Sequence, residues 1–330
     1  MVKSLPDLGP SPAILFITAT RIGDAVLSTG LLGHLLDRYP DARLTITAGS
    51  VSAPLFHGTP GLQRLITLTK RPYAAHWLDL YRATMPVRWS LVVDLRGSAL
   101  AFLLRTRHRR IMAKGDPRKH RVAQLARLFG LSSPPAPRLW LTPEHVAAAE
   151  RLIPEGGPIL AIGPAANWRG KQWRAERFAD LTRRLTAPGR PFAGARVAVL
   201  AAAHERAQVE PVLRAIPAEQ RLDLVGEVDL LTAAACLGRA AMFIGNDSGL
   251  MHMAAAMGVP TLGLFGPSLT AQYAPWGPHA SALETPIPYA TLVGAPDFDH
   301  RTTDTLMDSL TVDAVEAAVE QLVVHNARAA

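Results

Sequence analysis

Two separate sets of short apolar runs, each alternating with helical stretches, constrain this chain more than any other feature. Ala13 to Ala19, Leu44 to Ala48, Leu65 to Leu68 and Leu91 to Leu95 are brief apolar or alternating runs, which read as strands of one sheet. A second set comprises Ile159 to Ile162, Arg196 to Leu200, Asp223 to Val225, Ala241 to Ile244 and Thr261 to Leu264. It alternates with helices at Ala175 to Thr186, Glu205 to Ala215 and Leu230 to Leu237. Between the sets lie a proline-rich stretch (Pro134, Pro135, Pro137, Pro143), a helix from Pro143 to Leu152 and the segment Pro154-Glu155-Gly156-Gly157-Pro158, which reads as an interdomain linker. The expected fold class is α/β, with two doubly wound parallel sheets over residues 1–153 and 154–330. Ligand sites in such sheets lie at the carboxyl ends of strands, here in a cleft between the domains. Thr311 to Val324 places Val312, Val315, Val319 and Leu322 on one helical face, a packed terminal helix.

A length of 330 residues suits about two domains. Hydrophobic content of 48% against 19% charged residues describes a globular chain and excludes a disordered one. Cys236 is the only cysteine, which rules out an intramolecular disulfide and any cysteine-held zinc and fits a reducing compartment. No signal peptide is read at the start, where Pro6 and Pro12 stand in place of a charged lead-in. The uncharged span Ser248 to Leu283 is broken by Gly258, Pro260, Gly263, Gly266 and Pro267, too soon for a spanning helix. The expectation is a cytoplasmic protein.

The charge is unevenly placed. Met1 to Glu150 holds 20 Lys/Arg against 9 Asp/Glu, and the remainder 15 against 18. Much of the excess lies in Arg105, Arg107, Arg109, Arg110, Lys114, Arg118, Lys119, Arg121 and Arg127. Nucleic acid, an anionic membrane face or a phosphorylated glycan suits such a cluster, as does a plain solvated surface. No nucleic-acid reader motif accompanies it, and nucleic acid is not expected as a partner.

Five places are candidates for chemistry. Gly245-Asn246-Asp247-Ser248-Gly249-Leu250-Met251-His252 ends a buried run and opens a small-residue helix. The free amides and dipole of a helix start favour phosphate, although Asp247 or Ser248 merely capping that helix is an equal reading. Thr20-Arg21-Ile22-Gly23-Asp24 likewise ends a strand and enters a helix. Gly30 and Gly33 come too late for a dinucleotide fingerprint, so Asp24 is either an N-cap or a carboxylate facing the cleft as general base. Asn167 and Lys171 lie in a loop after a strand, where the lysine supplies a point charge to a phosphate. Glu205 follows another strand, either holding ribose hydroxyls or starting a helix. Asp297-Phe298-Asp299-His300 has the form of a metal-binding pair, but its late polar setting reads as a solvated loop, and no metal is assigned.

Together these motifs resemble the heptosyltransferases of glycosyltransferase family 9. The resemblance spans nearly the whole chain and rests on Arg21-Ile22-Gly23-Asp24-Ala25-Val26-Leu27, Leu91-Val92-Val93-Asp94-Leu95-Arg96-Gly97 and Lys171-Gln172-Trp173. It is most specific at Gly245 to Gly249 with His252, then Gly258-Val259-Pro260-Thr261 and Leu264-Phe265-Gly266-Pro267. It implies a GT-B fold of two Rossmann-like domains, acceptor on the first and sugar-nucleotide donor on the second. By position it implies Asp24 as catalytic base, Lys171 as phosphate-binding lysine, Glu205 as nucleoside contact and Asp247, Ser248 and Gly249 as the diphosphate turn, with Asn167 and His252 beside them. Arg21, Gly23, Arg96, Arg118 and Arg121 become acceptor-binding candidates. Ala166 and Asn167 stand where the family has hydroxyl residues. The implied reaction is inverting, metal-independent and cofactor-free transfer, most simply of heptose from ADP-heptose, to an anionic lipopolysaccharide-core glycolipid, with peripheral association at the inner membrane. A GT-B nucleotide-sugar epimerase and a catalytically silent sugar-nucleotide or glycan-binding protein are the rival readings.

Overall fold

The computed structural model describes residues 5–296 and 298–329. The chain divides into two compact units, Met1–Trp140 and Leu141–Ala330. The first contains β1 (Ala13–Ile17), α1 (Ile22–Arg38), β2 (Arg43–Gly49), β3 (Leu62–Leu68), α2 (Ala75–Thr84), β4 (Trp89–Asp94), α3 (Leu100–Leu103), β5 (Thr106–Ile111) and α4 (Arg121–Arg127). The second contains α5 (Pro143–Leu152), β6 (Ile159–Gly163), α6 (Ala175–Thr186), β7 (Arg196–Val199), α7 (Arg206–Ala215), β8 (Arg221–Asp223), α8 (Leu230–Gly238) and β9 (Met242–Asn246). It continues through α9 (Gly249–Ala256), β10 (Thr261–Phe265), α10 (Thr270–Tyr273), β11 (Ala280–Glu284), α11 (Tyr289–Val293) and α12 (Val312–Ala329).

Both sheets are parallel, as the apolar runs foretell. Their orders are β3-β2-β1-β4-β5 and β11-β10-β9-β6-β7-β8. Strand order reverses between β1 and β4 in one and between β6 and β9 in the other, the two topological switch points where doubly wound sheets take ligands. Central strands are buried on both faces: Ile14, Leu15, Phe16 and Ile17 of β1 have no exposed surface, hence their unbroken hydrophobicity. In the second unit, α6, α7 and α12 cover one face, where Phe178, Leu181, Val212, Val315 and Val319 pack on Leu160, Ile162, Val197 and Leu264.

Several elements differ from expectation. β5 and β11 are edge strands absent from the sequence reading. β5 reads Thr-Arg-His-Arg-Arg-Ile, a sequence that bonds to β4 through its backbone while Arg107 and Arg109 stand in water and Arg110 lies over the Phe129 ring. β8 lies two residues earlier than expected, since Leu224 keeps one amide bond to the Val199 carbonyl and the Val225 amide turns to the Asp223 carboxylate. The boundary lies at Trp140/Leu141, ahead of the expected 153/154. The cause is α5, which packs on α8 with His145 Nε2 3.8 Å from Asp229, while Arg239 Nε donates to the Ile153 carbonyl at 2.9 Å. Pro154 to Pro158 is therefore a turn inside the second unit, with Gly156 and Gly157 at positive φ. Gly30 and Gly33 serve packing: a Cβ at either would strike the Pro135 carbonyl or the Arg138 side chain.

Candidate functional site

In the second unit the switch point gathers most of the candidate donor residues. β6 and β9 lie side by side with Gly163 opposite Gly245, so the loops that follow them are neighbours. Asn246, the last residue of β9, is fully buried. Its Oδ1 accepts from the Trp173 amide at 3.0 Å and its Nδ2 donates to the Pro164 carbonyl at 2.7 Å. One side-chain amide thereby holds both ends of the loop carrying Asn167 and Lys171. The same loop is held from outside by the 304–310 segment: Leu306 donates to the Gly170 carbonyl at 3.0 Å, and Trp173 Nε1 to the Leu310 carbonyl at 2.8 Å. Arg174 meets Asp308 at 2.6 Å and Arg169 meets Asp304 at 2.5 Å. Those guanidinium hydrogen bonds hold both carboxyls below the usual carboxylate range.

That support positions Lys171. Its Nζ donates to Asp247 Oδ2 at 2.5 Å, with the carboxylate side chain 8% and the lysine 22% exposed. On the other side of the carboxylate, His252 Nε2 lies 4.0 Å from Oδ1. His252 stands one helical turn beyond Ser248 on the same face, as its spacing dictates. Ser248 is the N-cap of α9 with no side-chain cap bond, and its Oγ is buried without a hydrogen-bond partner. The capping alternative for Asp247 and Ser248 thus gives way to another arrangement. Asp247 is engaged by a lysine, and the amides at Gly249 open a helix that no side chain caps. A cation, a buried hydroxyl and an uncapped helix start stand at one place, groups whose chemistry favours an anion.

The other two donor candidates are less tightly placed. Asn167 is exposed, four residues before Lys171 on the shared loop. Glu205 is half-buried just beyond β7, which adjoins β6, and its Oε2 accepts from the Ala202 amide at 2.9 Å.

The first unit has its own switch point. Arg21 is the N-cap of α1, and Asp24 is in the helix's first turn. That corrects the N-cap alternative for Asp24, since the helix begins at Ile22 and Arg21 holds the cap position. Asp24 is half-buried. Beside this turn, across the pairing of Ile17 with Asp94, the loop after β4 is shaped by Asp94. Its fully buried carboxylate accepts from the Arg96 amide at 2.8 Å and from the Ser98 amide and hydroxyl at 2.9 and 2.5 Å. Gly97 has φ +64°, and a Cβ there would lie 2.7 Å from the Met112 carbonyl oxygen. The Arg96 guanidinium lies over the Trp77 ring at 5.3 Å. Arg21, Gly23, Asp24 and Arg96 therefore gather at adjoining strand ends.

Arg118 and Arg121 stand apart, beyond β5. Arg118 pairs with Asp116 at 3.1 Å, and Arg121 opens α4. Gln124 fixes this loop through the Asp116 and Lys119 carbonyls at 2.9 and 2.6 Å. Asp297 of the late acidic pair lies outside the described residues. Among those described, no three His, Cys, Asp or Glu side chains are grouped to share a metal ion, and no helix is long and apolar enough to cross a membrane. Sequence reasoning assigned no role to Asp94, Asn246 or the 304–310 clamp. A buried polar residue closing an apolar strand was the available signal for the first two.

Two doubly wound parallel sheets, with candidate residues at the strand ends of both, describe the GT-B architecture. A solved glycosyltransferase family 9 protein from Veillonella parvula covers 96% of this chain and 98% of its own, with TM-score 0.76 and 19% identity. The Escherichia coli ADP-heptose lps heptosyltransferase II structure covers 95% and 99%, with TM-score 0.74 and 19% identity. In sequence, lipooligosaccharide heptosyltransferase 2 of Haemophilus influenzae is 26% identical over 79% of this chain and 85% of its own. The model of glycosyltransferase family 9 (heptosyltransferase) matches residues 66–294. The chain belongs to that family and is a glycosyltransferase.

Proposed function

We propose that this enzyme transfers heptose from ADP-heptose to an anionic lipopolysaccharide-core glycolipid, with inversion at the anomeric carbon and without a metal ion. The observation that carries the reading is the Lys171–Asp247 pair at the uncapped start of α9. A carboxylate repels a diphosphate, so Asp247 serves to aim the ammonium group, while Lys171, Ser248 and the Gly249 amide receive the phosphates. His252 stands behind Asp247, and Asn167 and Glu205 flank the nucleoside. As the sugar–phosphate bond breaks, the extra negative charge on the leaving ADP is stabilised by groups already in place. Lys171 supplies the charge that a metal ion supplies elsewhere.

Asp24 is the proposed base. Its carboxylate takes the proton of the acceptor hydroxyl as that oxygen attacks the anomeric carbon from the side opposite ADP, and a single displacement inverts the centre. Arg21, the Gly23 backbone and Arg96 would hold anionic groups of the acceptor, with Arg118 and Arg121 as more distant contacts. The roles of the units are accordingly acceptor binding for the first and donor binding for the second. Several relatives are named for lipopolysaccharide or lipooligosaccharide, which supports a glycolipid acceptor, and the enzyme is proposed to work in the cytoplasm against the inner membrane.

Incubation of the purified protein with ADP-heptose and a heptose-deficient core acceptor tests the proposal. The expected result is acceptor heavier by one heptose, one ADP released per transfer and an inverted anomeric configuration by NMR. Unchanged acceptor with ADP-heptose intact or merely hydrolysed contradicts it.

A further inference from the structure

The first unit carries a surface that neither switch point uses. Phe102 and Leu103, on the short helix α3, are 64% and 65% exposed, while their neighbours Leu100, Ala101 and Leu104 are buried in the core with Trp89 and Val92. The turn is thus anchored on one side and offers an aromatic and an aliphatic side chain to the outside. Immediately after it runs β5, the outer strand of its sheet. Arg105, Arg107 and Arg109 alternate as exposed residues there, with the half-buried Thr106, His108 and Arg110 on the other face. The Arg109 guanidinium lies 5.9 Å from the Phe102 ring centre, so the arginine row and the apolar turn share one surface. The Trp89 amide donates to the Arg105 carbonyl at 2.9 Å, which brings exposed Arg88 and Val87 to the same end of the strand. From Leu95 to Gly115 the chain has six Lys/Arg and no Asp or Glu.

Arginines on an edge strand guard against pairing with another strand, but that purpose gives no reason for two large apolar side chains beside them. Exposed aromatic and aliphatic groups bordered by arginines match the layered chemistry of a bilayer surface, with acyl chains beneath and phosphates above. We propose that Phe102 and Leu103, with Arg105, Arg107 and Arg109, dock this enzyme on an anionic lipid bilayer. The inference deepens the reading of a glycolipid acceptor by naming the surface that meets the lipid. α3 begins two residues after Ser98, so the docked turn is tied through the chain to the Arg96 loop.

The test is co-sedimentation of the full-length protein with phosphatidylglycerol/phosphatidylcholine vesicles and with phosphatidylcholine vesicles alone. It compares wild type, Phe102→Ser/Leu103→Ser and Arg105→Gln/Arg107→Gln, each first checked for an unchanged Tm. The expected result is binding to the anionic vesicles that weakens with salt. Binding should fall at least ten-fold in the apolar pair and about five-fold per arginine removed. Phe102→Ser/Leu103→Ser should keep ADP binding and transfer to a water-soluble, deacylated core acceptor. Vesicle binding equal in wild type and the apolar variant overturns the proposal, as does no wild-type binding at low salt. So does a change from dimer to monomer in the apolar variant without loss of vesicle binding, which would make the patch a contact between copies. Transfer to the soluble acceptor without vesicle binding refutes the surface alone. Vesicle binding without transfer refutes the acceptor reading and leaves the surface standing.

Discussion

β4 and β9 occupy the same place in their two sheets, next to the central strand across the switch point, and each ends in a fully buried polar residue, Asp94 in one and Asn246 in the other. Asp94 is acceptor-only and turns back on its own loop, where three donors from Arg96 and Ser98 surround it. Asn246 both donates and accepts, and it reaches across the switch point to the loop after β6. The carboxylate shapes one loop, whereas the amide ties two together. The first unit thus presents a local turn beside Asp24, and the second a cross-braced pair of loops around Lys171 and α9. The same fold yields a place suited to a proton acceptor and a place suited to a polyanion, through which hydrogen-bonding groups close its fourth strand.

The strongest break in this comparison is Asp24→Ala. If the first switch point handles the proton, kcat falls by about 10²- to 10⁴-fold, the usual contribution of a general base, while ADP affinity is unchanged. Steady-state kinetics beside calorimetry check both halves. Lys171→Ala should act on the other unit, weakening ADP binding by about 10- to 100-fold, as expected for a lost charge-assisted contact. It leaves the nearly buried Asp247 without its cation, so stability should fall by about 3 kcal/mol in denaturant titration.

Exchanging the two strand-end residues sharpens the contrast. Asn246→Asp sets a buried carboxylate against the Pro164 carbonyl and should cost about 3 kcal/mol, with ADP affinity falling as the Lys171 loop loosens. Asp94→Asn points an amide donor at other donors and should cost about 1–3 kcal/mol without affecting ADP. Thermal melts and ADP titrations of both variants distinguish the local brace from the crossing one.

The smallest effect concerns pH. Asp304 and Asp308 have folded-state pKa values lowered by their arginines. Their contribution is therefore complete above the unfolded carboxylate pKa and lost as pH falls through the lowered values. Arg174→Gln should melt slightly below wild type at pH 7, and the gap should close as pH falls below the usual carboxylate range. Cys236 gives an independent report on the second unit. Burial pushes its thiol up to about 11, so a thiol reagent at pH 8 should label it only as that unit unfolds.

Much of this arrangement was legible beforehand. The central strands are unbroken apolar runs because both faces are covered, so β1, β6 and β9 announce themselves, and the turns after them carry Asp24, Lys171 and Asp247. Of the four edge strands, β3 and β8 were legible in part and β5 and β11 were not. β5 is half arginine, and β11, Ala-Ser-Ala-Leu-Glu, has little apolar alternation, because an edge strand is specified by pairing with one neighbour rather than by burial. The unit boundary was misplaced because α5 belongs with α8 through contacts 80 or so residues apart along the chain. The braces were hidden for the same reason: the partners of Asn246 are Trp173 and Pro164, and those of Arg174 lie in the 304–310 segment. Long-range hydrogen bonds leave no periodicity in a sequence.

The proposed mechanism divides labour between the units, with donor diphosphate held at the second switch point and the proton handled at the first. Calorimetric titration of ADP into wild type, Asp24→Ala and Lys171→Ala tests it most directly, with UDP, GDP and dTDP as comparisons. Selective ADP binding is expected, unchanged in Asp24→Ala and largely lost in a folded Lys171→Ala. ADP binding that survives in Lys171→Ala, or disappears in Asp24→Ala, would contradict it.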